Sequence, residues 1–214
     1  MYPINENTVS SLLSVVDRGL SKGLGKPIPG QMCVEAAVCY SLGLPHGDDP
    51  LCVAYSLRQL KIIINDADWS SNAARAKGLR RLAVAQLGTK ETLNEREFVK
   101  RVVIMLVKTT IADIVKGKTL RSKCRAVETI KEAREAAIAV SNAPVVYSDA
   151  VYAAAYAANA AAADAADYAA DAVRYAAADA NTGDTVLSDF CENVVQILID
   201  MKSPGCEFLY LTEK

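Results

Sequence analysis

Val151-Tyr-Ala-Ala-Ala-Tyr156-Ala-Ala-Asn-Ala-Ala-Ala-Ala-Asp164-Ala-Ala-Asp167-Tyr168-Ala-Ala-Asp171 is the stretch that decides the fold. Alanine loses no side-chain entropy in a helix and ranks first in helix propensity. The low-complexity span 145–181 therefore predicts one long helix. Successive residues lie about 100° apart around the axis. Tyr152, Tyr156, Tyr168, Tyr175, Asp149, Asp164, Asp167 and Asp171 then occupy one half of it. Ala154, Ala158, Ala161, Ala162, Ala165, Ala169, Ala172 and Ala176, with Val151 and Val173, fill the other. A smooth alanine face admits neighbours closer than the usual ~8–10 Å between axes. That predicts a central packing helix. The competing use is a Tyr/Asp surface that grips a partner, since tyrosine is enriched at interfaces. Alanine content alone would also suit ice binding, but the regular threonine row is missing.

The rest of the chain also reads as helix. Asn7 or Thr8 caps a first helix to about Leu20. A Gly/Pro loop follows from Gly19 to Gly30, and then a helix from Gln31 to Leu42, closed by Gly43. Asp49-Pro50 signals the next start, although its Ile62-Ile63-Ile64 run would suit a strand. Ser70 or Ser71 caps a helix ending at Gly88, and Thr92 or Asn94 opens another. Gly117 interrupts. Leu120 to Val140 continues as helix, and Asp184 or Thr185 caps a last one before Lys202-Ser-Pro-Gly205. Cys206 to Leu211 is an apolar tail expected to dock on the body. The pattern predicts an all-α protein of about eight helices packed around the alanine-rich one. It reads as a single domain over 1–214, with a motif-bearing half (1–90) and a helical half (91–214).

Apolar residues make up 51% of the 214, a figure inflated by alanine, which buries little area. The formal charge of −1 supplies no global field toward nucleic acid or membrane. The N-terminal residues lack the layout of a signal peptide, and no apolar run is long enough to span a bilayer. A cytoplasmic protein with reduced thiols is the expectation.

Residues with chemistry gather in one place. Gly25-Lys-Pro-Ile-Pro-Gly-Gln-Met-Cys33-Val-Glu-Ala-Ala-Val-Cys39-Tyr-Ser-Leu-Gly43-Leu-Pro-His46-Gly-Asp48-Asp-Pro50-Leu-Cys52 holds the only histidine and three of the six cysteines. Cys33 opens a helix, where the dipole favours thiolate. A cysteine hydrolase would use His46 as base, with Asp48 beside it. The intervening helix is about ten residues, or about 15 Å, so direct pairing requires the loop to fold back along it. A metal site would draw on Cys39, His46 and Cys52, with Asp48 as fourth ligand, but C-x6-H-x5-C matches no common zinc spacing. The simpler reading makes Cys39 and Cys52 core residues under a corner. The glycine-rich entry with Lys26 and Gln31 offers backbone donors to an anion. Trp69 and Arg75 form a second corner suited to an acidic group, unless Trp69 staples the corner and Arg75 pairs with Asp66 or Asp68.

Charge is uneven. Lys100 to Arg134 carries ten basic residues against three acidic, whereas Asp149 onward carries eleven acidic against three basic. The two segments suit each other within one chain or across a homo-oligomer, and a homo-oligomer is the expected form. Lys118, Arg121 and Arg125 share a face that would suit nucleic acid, but no nucleic-acid-binding motif accompanies them.

The runs Gly30-Gln-Met-Cys-Val-Glu-Ala-Ala-Val-Cys-Tyr-Ser-Leu-Gly-Leu-Pro-His-Gly-Asp-Asp-Pro50 and Leu60-Lys-Ile-Ile-Ile-Asn-Asp-Ala-Asp-Trp-Ser-Ser-Asn-Ala-Ala-Arg-Ala-Lys-Gly78 resemble a family of small bacteriophage and mobile-element proteins. The likeness covers about the first 90 residues. The alanine-rich helix and Ile197 to Gly205 are similar to that family's later part. The resemblance implies phage origin and carries over no catalytic residue. It suggests a non-catalytic protein that binds and blocks a host component, as in counter-defence, with a host protein or small anionic signal as partner and no cofactor. Lys26, Gln31, His46, Trp69, Arg75, Tyr152, Tyr156, Tyr168 and Tyr175 are the candidate contacts.

Overall fold

The computed structural model describes residues 4–143, 149–160, 162–178 and 183–213. Those residues form eleven α-helices rather than about eight, and no β-strand beyond one bridge between Gly25 and Met32. Most of the increase comes from breaks inside segments that read as continuous.

The alanine-rich span is the main correction. It holds two helices, α9 (Asp149–Asn159) and α10 (Ala162–Ala178), packed against each other. The expected ends near 145 and 181 fall outside the described residues. A straight helix over 145–181 would run about 55 Å. A compact chain of this length has a radius of gyration of about 17 Å, so such a rod would leave alanines in water. Folding back buries both halves. Ala153, Ala154, Ala157 and Ala158 are buried on α9, and Ala165, Ala166, Ala169, Ala170, Ala172, Val173, Ala176 and Ala177 on α10.

The predicted central role belongs to α10. It packs on α9 and on three further helices: α3 (Tyr55–Asn65), α5 (Glu95–Leu106) and α11 (Gly183–Asp200). A second layer surrounds this hub. α4 (Asn72–Ala85) lies on α11, α1 (Glu6–Val16) lies on α2 (Val34–Ser41) and α4, and α8 (Ile130–Ser141) lies on α9. One cluster of buried side chains runs from Val9 to Leu209.

Local chemistry explains the starts. Side-chain oxygens of Asn5, Ser71 and Asn94 accept backbone N–H groups from Thr8, Ala74 and Glu97 at 3.0–3.1 Å. The first of these caps moves the start of α1 upstream of Asn7. Asp49-Pro50 leads into a turn in which the Val53 N–H bonds the Pro50 carbonyl, and α3 begins only at Tyr55. The expected helix from Leu120 to Val140 is two: α7 (Lys118–Arg125) and α8. Thr129 and Glu132 make a reciprocal capping box at the start of α8. After α5, a π-helical turn (Val107–Ile111) leads into the short α6 (Ala112–Ile114).

The tail docks as expected, as a 3-10 helix (Pro204–Glu213) lying on α4 and α1. Gly205 makes this possible, since a Cβ there would lie 2.2 Å from the Val84 carbonyl oxygen. Trp69 staples its corner. It is buried, its Nε1 donates to the Ile64 carbonyl at 2.9 Å, and its ring covers Gly78 of α4.

A Cβ on Gly78 would stand 2.3 Å from Trp69 Cη2. Gly78→Ala is expected to lower stability by about 1–3 kcal/mol through overpacking, although alanine is the better helix former. Urea unfolding measures it, and a gain in stability would remove the Trp69–Gly78 contact from the account.

Candidate functional site

The first corner is built where α2, α3 and the loop before α2 meet. Cys33 is the N-cap of α2, and its Sγ accepts the Ala36 N–H at 3.4 Å. Residues 32–39 are all buried, so α2 meets solvent only at its last turn, Tyr40 and Ser41. Glu35 nevertheless sits there at 0% exposure. Its partner is Lys61 of α3, also at 0%, with Nζ 2.8 Å from Oε1. The contact is an ion pair, and Glu35 Oε2 has no hydrogen-bond partner among the described residues.

Burial pushes the Glu35 carboxyl upward in pKa, against the pull of Lys61 and Arg58. Burial likewise pushes the Lys61 ammonium downward, against the pull of Glu35. Such a pair is a poor source of stability, because desolvating both charges offsets their attraction. The sequence carried a sign of it. Lys61 falls in register with Leu57, Leu60 and Ile64 on the buried stripe of α3, and Glu35 interrupts an apolar run.

The thiols around this pair are not activated. Burial is the largest influence on Cys33, Cys39 and Cys52 and raises all three, Cys39 to about 12. The cap bond from Ala36 only partly opposes it at Cys33. His46 is exposed, and its Nε2 lies 3.3 Å from the Gly25 carbonyl oxygen. The described contacts therefore place Cys33 on Ala36 and His46 on Gly25. Asp48 is exposed as well. Among the described residues no group of three or more His, Cys, Asp or Glu is placed to hold a metal ion, so Cys39, His46, Cys52 and Asp48 do not converge.

The glycine-rich entry turns several of its backbone donors onto its own carbonyls. Lys26 N–H bonds Gln31 O, Ile28 N–H bonds Lys26 O, Gln31 N–H bonds Ile28 O, and Cys33 N–H bonds Leu24 O. Gly23 N–H goes to Asp66 Oδ1 at 2.7 Å. The side chains of Lys26 and Gln31 remain exposed. Arg75 is buried and pairs with neither Asp66 nor Asp68. Its guanidinium donates to the carbonyls of Asn65 and Leu20 and to Asn72 Oδ1. It closes the end of α3 and leaves no open cradle for an acidic ligand.

The tyrosine face lies on the hub hairpin. Tyr152, Tyr156 and Tyr168 are 41%, 62% and 39% exposed, and the rings of Tyr156 and Tyr168 stand 5.5 Å apart, tilted by 30°. Tyr175 is half-buried beneath the Arg174 guanidinium. Asp149 and Asp164 are exposed beside the rings. On the basic segment, Arg121 bonds the Val115 carbonyl and Arg125 bonds Asp113, while Lys118 is exposed.

Two outcomes follow. In the folded protein, Cys33 is expected to react with iodoacetamide at about pH 8 more slowly than a free cysteine peptide; a fast reaction persisting near pH 6 would mark an activated thiolate. Lys61→Met alone is expected to cost about 3–5 kcal/mol in urea unfolding, and Glu35→Leu with Lys61→Met to recover most of it. A double variant as unstable as the single one would contradict the ion-pair account.

Among the described residues no helix is long and apolar enough to cross a membrane. Compared with known proteins, the chain matches no family model, no curated protein and no solved structure.

Proposed function

We propose that this protein works by binding rather than by making or breaking bonds, and that the Tyr152/Tyr156/Tyr168 face of α9 and α10 is the contact surface. The observation that carries this reading is the exposed Tyr156–Tyr168 ring pair on a hairpin whose alanines are mostly buried. Rings already set against each other lose little freedom on binding. The carboxylates around them favour a partner with basic residues. Asp167 fits the same reading: its Oδ1 is buried without a hydrogen-bond partner among the described residues, and burial, then Asp164 and Asp171, pushes its pKa upward. A cationic donor from a partner would offset this upward push.

The resemblance to phage and mobile-element proteins makes a component of a bacterial host the partner, occupied and blocked in the cytoplasm. A homo-oligomer is the competing form, with the basic α7–α8 segment of one copy meeting the acidic face of another. The cysteine-hydrolase reading gains no support from a buried Cys33 whose pKa is raised by burial, nor the small anionic signal from a loop that bonds the Lys26, Ile28 and Gln31 N–H groups to its own carbonyls.

A photo-crosslinking residue in place of Tyr156, activated in bacterial cells, is expected to give one discrete adduct. That adduct is expected to disappear with Tyr152→Ala/Tyr168→Ala and to survive Cys33→Ser. An adduct of twice the chain's mass would identify a second copy as the partner. Labelling no stronger than from the same probe in place of Ser14 on α1 would sink the proposal.

A further inference from the structure

Helices α5, α8, α9 and α10 meet around a cleft of about 250 Å³. Its floor is apolar: Val99 and Val103 of α5, Ile130 of α8, and alanines of α9 and α10. Val99 and Val103 are buried, whereas the cations above them reach solvent. Those cations are Arg96 and Lys100 on the α5 side and Arg134 on the α8 side.

The charges of this cleft are one-sided. No carboxylate lines it among the described residues. Glu97, between the two α5 cations in sequence, is held by Arg101 at 3.0 Å and reaches Lys100 Nζ only at 3.9 Å. Arg96 has no ion pair or hydrogen bond among the described residues. Arg134 is anchored in place. Its Nε donates to the Ala158 carbonyl at 3.0 Å, near the C-terminal end of α9, where the helix dipole is negative. That bond masks the negative helix end from the cleft. It leaves both Nη groups of the fork without a partner among the described residues.

Arg96 and Lys100 stand one turn apart, an unfavourable spacing for like charges. Arg134 adds a third across the cleft. Three positive charges over an apolar floor favour an occupant that has both negative charge and apolar surface. A dianion balances them better than a monoanion, and arginine forks match the oxygens of a phosphate. The volume is below the ~300–1,000 Å³ of drug-sized ligand sites, so the apolar body is small.

We propose that this cleft binds a small phosphate monoester, its head held by Arg96, Lys100 and Arg134 and its apolar body laid on Val99, Val103 and Ile130. The site uses none of the surface tyrosines, so its test is independent of that face.

The methyl resonances of Val99, Val103 and Ile130 report the cleft directly. Titration of the full chain with phenyl phosphate above pH 7, where the ester carries nearly two charges, is expected to shift them saturably. Inorganic phosphate and benzyl alcohol, each lacking one half of the probe, are expected to bind at least about tenfold more weakly. Lys100→Gln is expected to weaken phenyl phosphate about tenfold by removing one charge-assisted contact. Arg134→Gln is expected to do the same, judged on a spectrum that remains that of the folded chain. Lys77→Gln removes the same charge from α4 and is expected to leave the affinity unchanged. Non-saturating shifts, equal affinity for either half-probe, unchanged affinity in Lys100→Gln, or an equal loss in Lys77→Gln would each overturn the proposal.

Discussion

Close packing of alanine on α10 is the constraint on which the rest depends. This helix touches α9, α3, α5 and α11. Only small side chains let one cylinder serve so many neighbours. Alanine loses no rotamer entropy on burial, so the hub is inexpensive to order. It also buries little area per residue. The larger apolar area comes from the partners: Leu57, Leu60 and Ile64 of α3, Phe98, Val102 and Leu106 of α5, and Leu187, Phe190 and Val194 of α11.

A body built this way leaves little freedom for polar groups, which makes the Glu35–Lys61 pair informative. An apolar pair of similar volume would serve packing as well or better. Glu35 keeps one oxygen without a donor, so the pair is not a closed structural network. The same corner holds the thiols and the histidine that look reactive in the sequence, yet burial, caps and carbonyl contacts occupy them separately.

Much of the fold was legible beforehand. Propensity and periodicity are local, so the all-α class, the buried alanine faces and the docked tail followed from residue order. Trp69 as a corner staple was readable for the same reason. The Thr129–Glu132 capping box is equally local, but it lies inside a longer helical pattern that hides it. Asp49-Pro50 misled because start signals compete: α3 begins where Tyr55 to Asn65 can lay Leu57, Leu60 and Ile64 on the core, and that depends on the neighbours.

The candidate sites were harder to read, because pairing between distant residues has no local signature. Glu35 and Lys61 lie 26 positions apart, and only the packing of α2 on α3 brings them together. Arg75 closing the end of α3 is likewise a tertiary outcome. By itself the sequence determined helix, its apolar stripes and the small size of the hub, since these follow from the chemistry of each residue and its near neighbours. Tertiary structure alone decided where the alanine run breaks, which charges are buried together and which tyrosines face water. Burial depends on what lies across the interface, and the order of residues does not state that.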